Sequence, residues 1–299
     1  LLASATLTGT TIQFFIQIWA INKIGLLRFK ANWYSFIEEE KRILNIIFPA
    51  CISSGLGQIN VYVDMFFASS FQGAASGFAY GTFLIQAPLG ILSNSLILPL
   101  LTRFSKLKAD KKYIKLGKNL ITGIEYCFLT TIFLTAFFIT FNNQIVQLAY
   151  QRGAFDFYAV NQVRKILIAY SVGIPFYLYR DILVRTYYSI EKTKLPFKLS
   201  LFGILLNIFF DWFLVGAPIQ NIGNISPYNF EIEGIILSSA VVNFIICFIL
   251  SINLRKHDIH LPYVLLLTKI ILISLSAIFT SYICFSIFQN IPLVNNDIE

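Results

Sequence analysis

The chain of 299 residues is 57% hydrophobic and 16% aromatic, but only 13% of its side chains are charged, and its formal net charge is +8. A soluble domain usually carries about 25% charged residues, so this composition excludes a soluble fold. Apolar blocks of about 20 residues or more recur along the chain, which is the length of a helix that spans the hydrocarbon core of a bilayer. The short segments of alternating hydrophobicity that are typical of a β-barrel are not seen. We therefore predict an all-α, polytopic membrane protein.

Hydropathy predicts eight transmembrane helices. Several are long, which implies tilt or kinks, and Pro49, Pro88, Pro99 and Pro175 fall inside them. The predicted spans are residues 1–21, 43–71, 75–101, 120–149, 166–188, 195–215, 234–254 and 263–288. Because the first span has no basic segment before it, it is not a signal peptide, and we expect that an N-terminal part of the protein precedes it.

The loops alternate in charge, which predicts the orientation. Lys and Arg concentrate in the loops after the first, third, fifth and seventh spans, so these loops should be cytoplasmic, and the protein should lie in the cytoplasmic (inner) membrane. Anionic inner-leaflet lipids are a sufficient partner for the positive charge, so no nucleic acid is implied. The basic segment 105–117 is predicted to be a helix on the cytoplasmic surface with Leu107, Ile114 and Leu116 towards lipid; a solvated loop is the alternative.

Charged residues that fall within the predicted spans are costly and usually face a cavity or a partner. For those near a span end, we predict that the side chain reaches the membrane interface. This group comprises Glu125, Asp211, which is followed by Trp212, and Lys269. Four more are Asp64, Arg180, Asp181 and Arg185.

Two of these charges are spaced to form an ion pair on one helix, because Asp181 and Arg185 are four residues apart. One acid against two arginines leaves Arg180 as a free interior cation, which suits an anionic substrate, phosphate above all. The alternative is a structural network that joins Arg180 to Gln58, Asn60 and Asp64 on another helix.

Enzyme and cofactor signals are weak. The sequence has no zinc-protease helix motif, no aspartate-rich motif of a prenyl-diphosphate enzyme and no phosphate-binding glycine loop. We predict no cofactor and no metal site, and a transporter rather than an enzyme. Four cysteines each lie alone in an apolar block, which predicts buried small side chains: Cys51, Cys127, Cys247 and Cys284.

A polar stretch, "LAYQRGAFD" at residues 148–156, interrupts the apolar pattern. Gly153 allows a sharp turn, and Asp156 can cap a helix that begins near Phe157. Local chemistry therefore predicts a structural turn and cap.

The same string resembles the LLYQRGAFD signature of the MurJ/MviN family of lipid II flippases. The residues that carry this likeness are Tyr150, Gln151, Arg152, Gly153, Ala154, Phe155 and Asp156. Further likenesses include "FPACISSGLGQINVYVDMFFASSF", "YGTFLIQAPLGILSNSLILPLLTRFS" and "RDILVRTYYSIEKTKLPFKLS", so the resemblance runs from about residue 48 to 254. Where many members have an aspartate and an arginine, this chain has Thr82 and Phe83, a form closer to cyanobacterial members.

The resemblance implies a two-lobe exporter fold of about fourteen helices, shared with the MATE transporters. Residues 1–24 would be the last helix of the first lobe, 25–42 a cytoplasmic linker, 43–254 the six-helix second lobe, and 255–299 an additional helix and tail. It also implies transport of lipid II from the inner to the outer leaflet by alternating access, with cell-wall synthesis proteins as possible partners. The expected substrate path comprises Gln58, Asn60, Asp64, Arg180, Asp181 and Arg185.

Three other functions stay open at this point. The first is a MATE-like drug exporter or a polysaccharide-repeat exporter of the same fold, although a cation exporter would need unpaired acids where this chain has arginines. The second is a membrane-embedded isoprenoid-phosphate transferase, which would need clustered acidic metal ligands. The third is a scaffold without transport activity.

Overall fold

The computed structural model of the protein describes residues 2–25, 55, 58–71, 73–153, 155–215, 228, 230–257 and 259–290. Throughout these residues the regular structure is helical, so the predicted all-α class is confirmed. The chain divides into two compact units, Leu1–Phe48 and Pro49–Glu299. The described part of the first unit is the helix α1, Leu2–Lys23, followed by a turn.

The described residues of the second unit form nine α-helices. In chain order they are α2 (58–68), α3 (Ala74–Leu92), α4 (Leu98–Ala109), α5 (Tyr113–Thr140), α6 (Asn142–Tyr150), α7 (Phe157–Ser189), α8 (Lys194–Val215), α9 (Glu231–Leu254) and α10 (Tyr263–Gln289). A π-helical turn, Ser93–Ile97, joins α3 to α4 without a break, and a 3-10 turn, Arg255–His257, extends α9.

Six helical segments of the described residues are long and apolar enough to cross a membrane. They correspond to the third to eighth predicted spans. The helix α1 coincides with the first predicted span but is not among the six, and only the later part of the second, 43–71, lies within the described residues.

The helix α7 lies at the centre of the second unit and packs mainly against α3, α5, α6 and α9. About half of the residues in the most apolar stretch of α7 and of α9 are buried, compared with 11% of those in the corresponding stretch of α10. The core is built from aliphatic side chains of α7 such as Leu167, Ile174 and Leu183, together with Tyr187, whose hydroxyl donates to the Leu250 carbonyl. Since lipid is as apolar as the core, the outer helices can leave large apolar side chains uncovered.

The predicted surface helix at 105–117 is wrong. The helix α4 ends at Ala109, a tight turn follows in which Lys111 has a φ of 56°, and α5 begins at Tyr113. This reversal points Leu107 and Leu116 into the core, where they are 8% and 0% exposed, while Ile114 alone stays outside at 80% exposed.

The fourth predicted span, 120–149, is also wrong in extent. The helix α5 ends at Thr140, and α6 begins after a break at Phe141. At this break the Asn142 side-chain amide donates to the Ile139 carbonyl at 2.6 Å, a local bond that competes with the helical ladder. Residues 142–150 therefore form a separate short helix packed against α7.

The cysteine prediction holds in part. Cys127 and Cys247 are buried as predicted, whereas Cys284 is exposed on α10, so the prediction was wrong there. Cys51 lies outside the described residues.

Candidate functional site

A buried polar cluster joins α2, α8 and α9. The Asn207 side-chain amide donates to Asp64 Oδ1 at 2.6 Å and to Asp211 Oδ2 at 2.9 Å. The Ser238 hydroxyl donates to Asp211 Oδ1, and the Ser239 hydroxyl donates to Asn207 Oδ1 at 3.1 Å and lies 3.4 Å from Asp64 Oδ2. One amide nitrogen therefore holds two carboxylates close together.

The cluster lies in the interior, since Asp64 is 7% exposed and Asp211 is fully buried. Asp211 was predicted to reach the interface beside Trp212, and that prediction is wrong. Asp211 lies on the inner face of α8, where Asn207 and Ser238 satisfy its oxygens. Two carboxylates in a dry site repel each other, and a bound proton or a hard cation with oxygen ligands would relieve this repulsion.

Arg180 projects from α7 towards α8 and α9. Its Nη1 donates to Asn243 Oδ1 at 2.9 Å, and its Nη2 lies 3.4 Å from Ser200 Oγ, at the limit of a hydrogen bond. Within the described part of the chain, no carboxylate lies within 4 Å of this guanidinium. Neutral dipoles therefore hold a half-buried cation whose charge is not cancelled locally.

The predicted pair of Asp181 and Arg185 is confirmed. Arg185 Nε donates to Asp181 Oδ1 at 2.9 Å, and both side chains are less than one third exposed. The second oxygen of Asp181 accepts a hydrogen bond from Ser93 Oγ at 3.2 Å, at the start of the π-helical turn. The pair is thus internally neutralised and also ties α7 to the joint between α3 and α4.

The alternative network between Arg180 and α2 is only indirect. Asp64 contacts α8 and α9 rather than Arg180, and the link runs through Asn243, whose amide donates to the Ser239 carbonyl at 2.9 Å. Asn60 is half-buried one turn before Asp64, whereas Gln58 is exposed. The expected substrate-path residues therefore divide into an α2 group and an α7 group that α9 connects.

The signature loop makes the turn and cap that its residues predict. Gly153 adopts a φ of 62°, a left-handed conformation that favours glycine. Asp156 Oδ1 accepts from the Ala159 amide at 2.9 Å and so caps α7, which begins at Phe157. Gln151 and Arg152 are exposed, and Ala154 lies outside the described residues.

An aromatic cluster fixes this loop to α3. Tyr150 donates its hydroxyl to the Tyr80 carbonyl at 3.1 Å, and the two rings lie 4.9 Å apart. Phe155 completes the cluster at 5.3 Å from Tyr80 and 5.6 Å from Tyr150. The signature therefore positions α3 as well as starting α7.

Sequence reasoning missed the polar partners on α8 and α9. Asn207 precedes Asp211 by four residues, and Ser239 precedes Asn243 by the same interval, so each pair lies on one helix face. Polar residues that repeat at this spacing in an apolar helix were the available signal.

The family model described as "Lipid II flippase MurJ" matches residues 1–295. A "Probable lipid II flippase MurJ" from Synechocystis sp. is 38% identical over 223 residues, which cover 75% of this chain and 42% of that protein.

Two solved structures share the fold. One, described as lipid II flippase MurJ in an inward closed conformation, has a TM-score of 0.67 at 24% identity and covers 87% of this chain and 51% of its own. The other, described as a MOP superfamily transporter from Pyrococcus furiosus, has a TM-score of 0.59 at 10% identity. The match covers 80% of this chain and 52% of that transporter. The chain thus spans about half the length of the proteins that it matches.

Proposed function

Because this chain belongs to the MurJ lipid II flippase family, we propose that its protein moves lipid II from the inner to the outer leaflet of the cytoplasmic membrane. Two lobes would rock around a central cavity, so that the polar headgroup crosses inside while the lipid tail stays in the bilayer. In this proposal residues 43–254 form the second lobe, 25–42 link it to the first, and 255–299 add a helix and a tail. Cell-wall synthesis proteins are proposed partners of the whole protein.

The half-buried guanidinium of Arg180 is the observation that carries the proposal. A diphosphate headgroup binds best to a planar cation with several donors, and Arg180 places two donors against neutral partners. Its remaining N–H groups and its uncancelled charge are then available to phosphate oxygens. Phe83 stands where many members have an arginine, which makes Arg180 the principal interior cation of this lobe in our proposal.

The remaining polar residues take supporting parts in this proposal. Asp181 holds Arg185 in place, while Gln58, Asn60 and Asp64 line the path from the side of α2. The carboxylates of Asp64 and Asp211 would bind the proton or cation whose movement drives the conformational change. An exporter of cationic drugs would need unpaired acids in place of this arginine, and an isoprenoid-phosphate transferase would need acidic metal ligands clustered at a membrane face.

The test is rescue of growth in a bacterial strain depleted of its own flippase, with the full gene for this protein and its Arg180 variants. We expect Arg180→Lys to lose rescue and outer-leaflet lipid II at normal membrane abundance, because lysine lacks the bidentate geometry. Arg180→Ala should also lower abundance, since it leaves Asn243 without its donor. The matched control is Arg103→Lys at an exposed arginine on α4, which should rescue fully.

Full growth with both Arg180 variants at normal abundance would remove Arg180 from the transport mechanism. Failure of the wild-type gene to restore outer-leaflet lipid II, in spite of normal abundance, would refute the proposed function itself.

A further inference from the structure

The turn between the last two membrane-length helices of the described residues lines an open surface cavity of about 540 Å³. One helical segment ends at His257 and the next begins at Tyr263, so the cavity lies at the depth where a bilayer has its headgroups. Residues that line it include Arg255, Tyr263, Val264, Leu265 and Thr268. None of them belongs to the candidate transport site.

A cation is held at the mouth of this cavity. The Arg255 guanidinium carbon lies 4.9 Å from the centre of the Tyr263 ring, within the range of a cation–π contact. The ring is itself fixed, because its hydroxyl donates to the Ser251 carbonyl at 2.9 Å. Lys256 is exposed beside it, and the segment 255–262 keeps a net positive charge, since Asp258 is its single acidic residue.

The wall that descends from this cation is apolar. Val264 is 78% exposed and Leu265 is 50% exposed, and both line the cavity. Thr268 and Leu272 continue the same face of α10 further into the membrane, with Leu272 65% exposed. A free anion would gain nothing from this wall, whereas an acyl chain would cover it.

We propose that this cavity is a binding site for an anionic phospholipid, with its phosphate at Arg255 and an acyl chain along α10. Charge complementarity selects the headgroup, since a cation at the membrane surface attracts anionic lipid. The fixed ring matters because it holds the guanidinium extended before the lipid arrives, which lowers the ordering cost of binding. Binding at this site does not depend on flipping.

The experiment is native mass spectrometry of the purified full-length protein in detergent, titrated with phosphatidylglycerol or with phosphatidylcholine of the same acyl chains. We expect at least one phosphatidylglycerol to bind about tenfold more tightly than phosphatidylcholine. Arg255→Gln should abolish that preference, since both lipids carry the phosphate but only phosphatidylcholine adds a choline cation, which the Arg255 guanidinium repels. Arg255→Lys should keep part of it.

Two controls make the result specific. Arg103→Gln removes an exposed arginine on a different helix and should leave the preference intact. Leu265→Gln keeps the cation but makes the wall polar, and it should weaken phosphatidylglycerol binding without affecting the elution profile. An unchanged preference in Arg255→Gln would overturn the site, and equal competition by glycerol phosphate would show an anion site rather than a lipid site.

Discussion

The ion pair between α5 and α10 provides a sharp test of how charges are held in this membrane protein. Lys269 Nζ lies 2.7 Å from Glu125 Oε1, and the two side chains are 43% and 29% exposed. The sequence predicts instead that each side chain reaches the interface by itself. The structure therefore predicts that the two residues are energetically coupled, whereas independent snorkelling predicts that they are not.

The coupling free energy between Glu125 and Lys269 depends on how far the two side chains are buried. Removing one partner of a fully buried pair costs about 3–5 kcal/mol, and a solvent-exposed pair is worth about 0–1 kcal/mol. This pair is partly exposed, but within a span the exposed part faces lipid rather than water, so we expect a cost between these limits, about 1–3 kcal/mol.

The two single variants should differ. Lys269 is six residues after the start of α10, about 9 Å along the axis, so a lysine left alone can still snorkel. Glu125 lies at a similar depth, since the two side chains are in contact, but its side chain is shorter and reaches the interface less well. We expect Lys269→Met to cost about 2–3 kcal/mol, Glu125→Gln about 1 kcal/mol and the double variant about 1 kcal/mol, which corresponds to a coupling of about 2–3 kcal/mol.

The measurement is a double-mutant cycle on the free energy of unfolding in one lipid or detergent environment. A control cycle on Lys112 and Asp110, whose side chains are 58% and 43% exposed at the turn, should give a coupling below about 0.5 kcal/mol. Purely additive costs for Glu125 and Lys269 would refute the paired arrangement and restore the snorkelling interpretation.

Two further predictions concern helix start and helix packing. Asp156→Ala should destabilise the protein by about 1 kcal/mol, because α7 loses its cap, and Asp156→Asn should retain most of the wild-type stability. Thermal unfolding measures both variants. Normal stability of Asp156→Ala together with lost transport would contradict a structural role. Gly81→Ala should cost about 1–3 kcal/mol, because its new Cβ would lie 2.5 Å from the stiff, buried Ile166 Cγ2, while Gly90→Ala, with nothing within 4 Å, should be neutral or stabilising. Unfolding curves that rank the two glycine variants the other way round would argue against close packing of α3 on α7.

Local signals in the sequence were sufficient where neighbouring residues decide the structure. The start of α7 at Phe157 follows from Asp156 as its cap, and the pair of Asp181 and Arg185 follows from their spacing on one helix. Apolar length alone located most of the membrane-length helices. These features need no knowledge of the tertiary fold.

Predictions from the sequence were wrong where a side chain's contact partner is distant along the chain. Asp211 is followed by Trp212, which suggests an interface, but its environment is set by Ser238 on α9 and by Asp64, held through the shared Asn207. Hydropathy also carried the fourth span past Phe141, because residues 144–150 are apolar enough to extend it even though they form a separate short helix. Tertiary contacts decide the environment of Asp211, whereas the break at Phe141 coincides with a local bond from Asn142 that hydropathy does not register.

The two polar groups of the second unit are fixed by one helix face. Ser239 and Asn243 lie one turn apart on α9; the first contacts the Asp64 cluster, and the second accepts from Arg180 and donates back to the Ser239 carbonyl. A shift of α9 along its axis by even a fraction of a turn would therefore break contacts at both groups together. Since Asp64 lies on α2 and Arg180 on α7, α9 is the element that connects the carboxylates to the guanidinium.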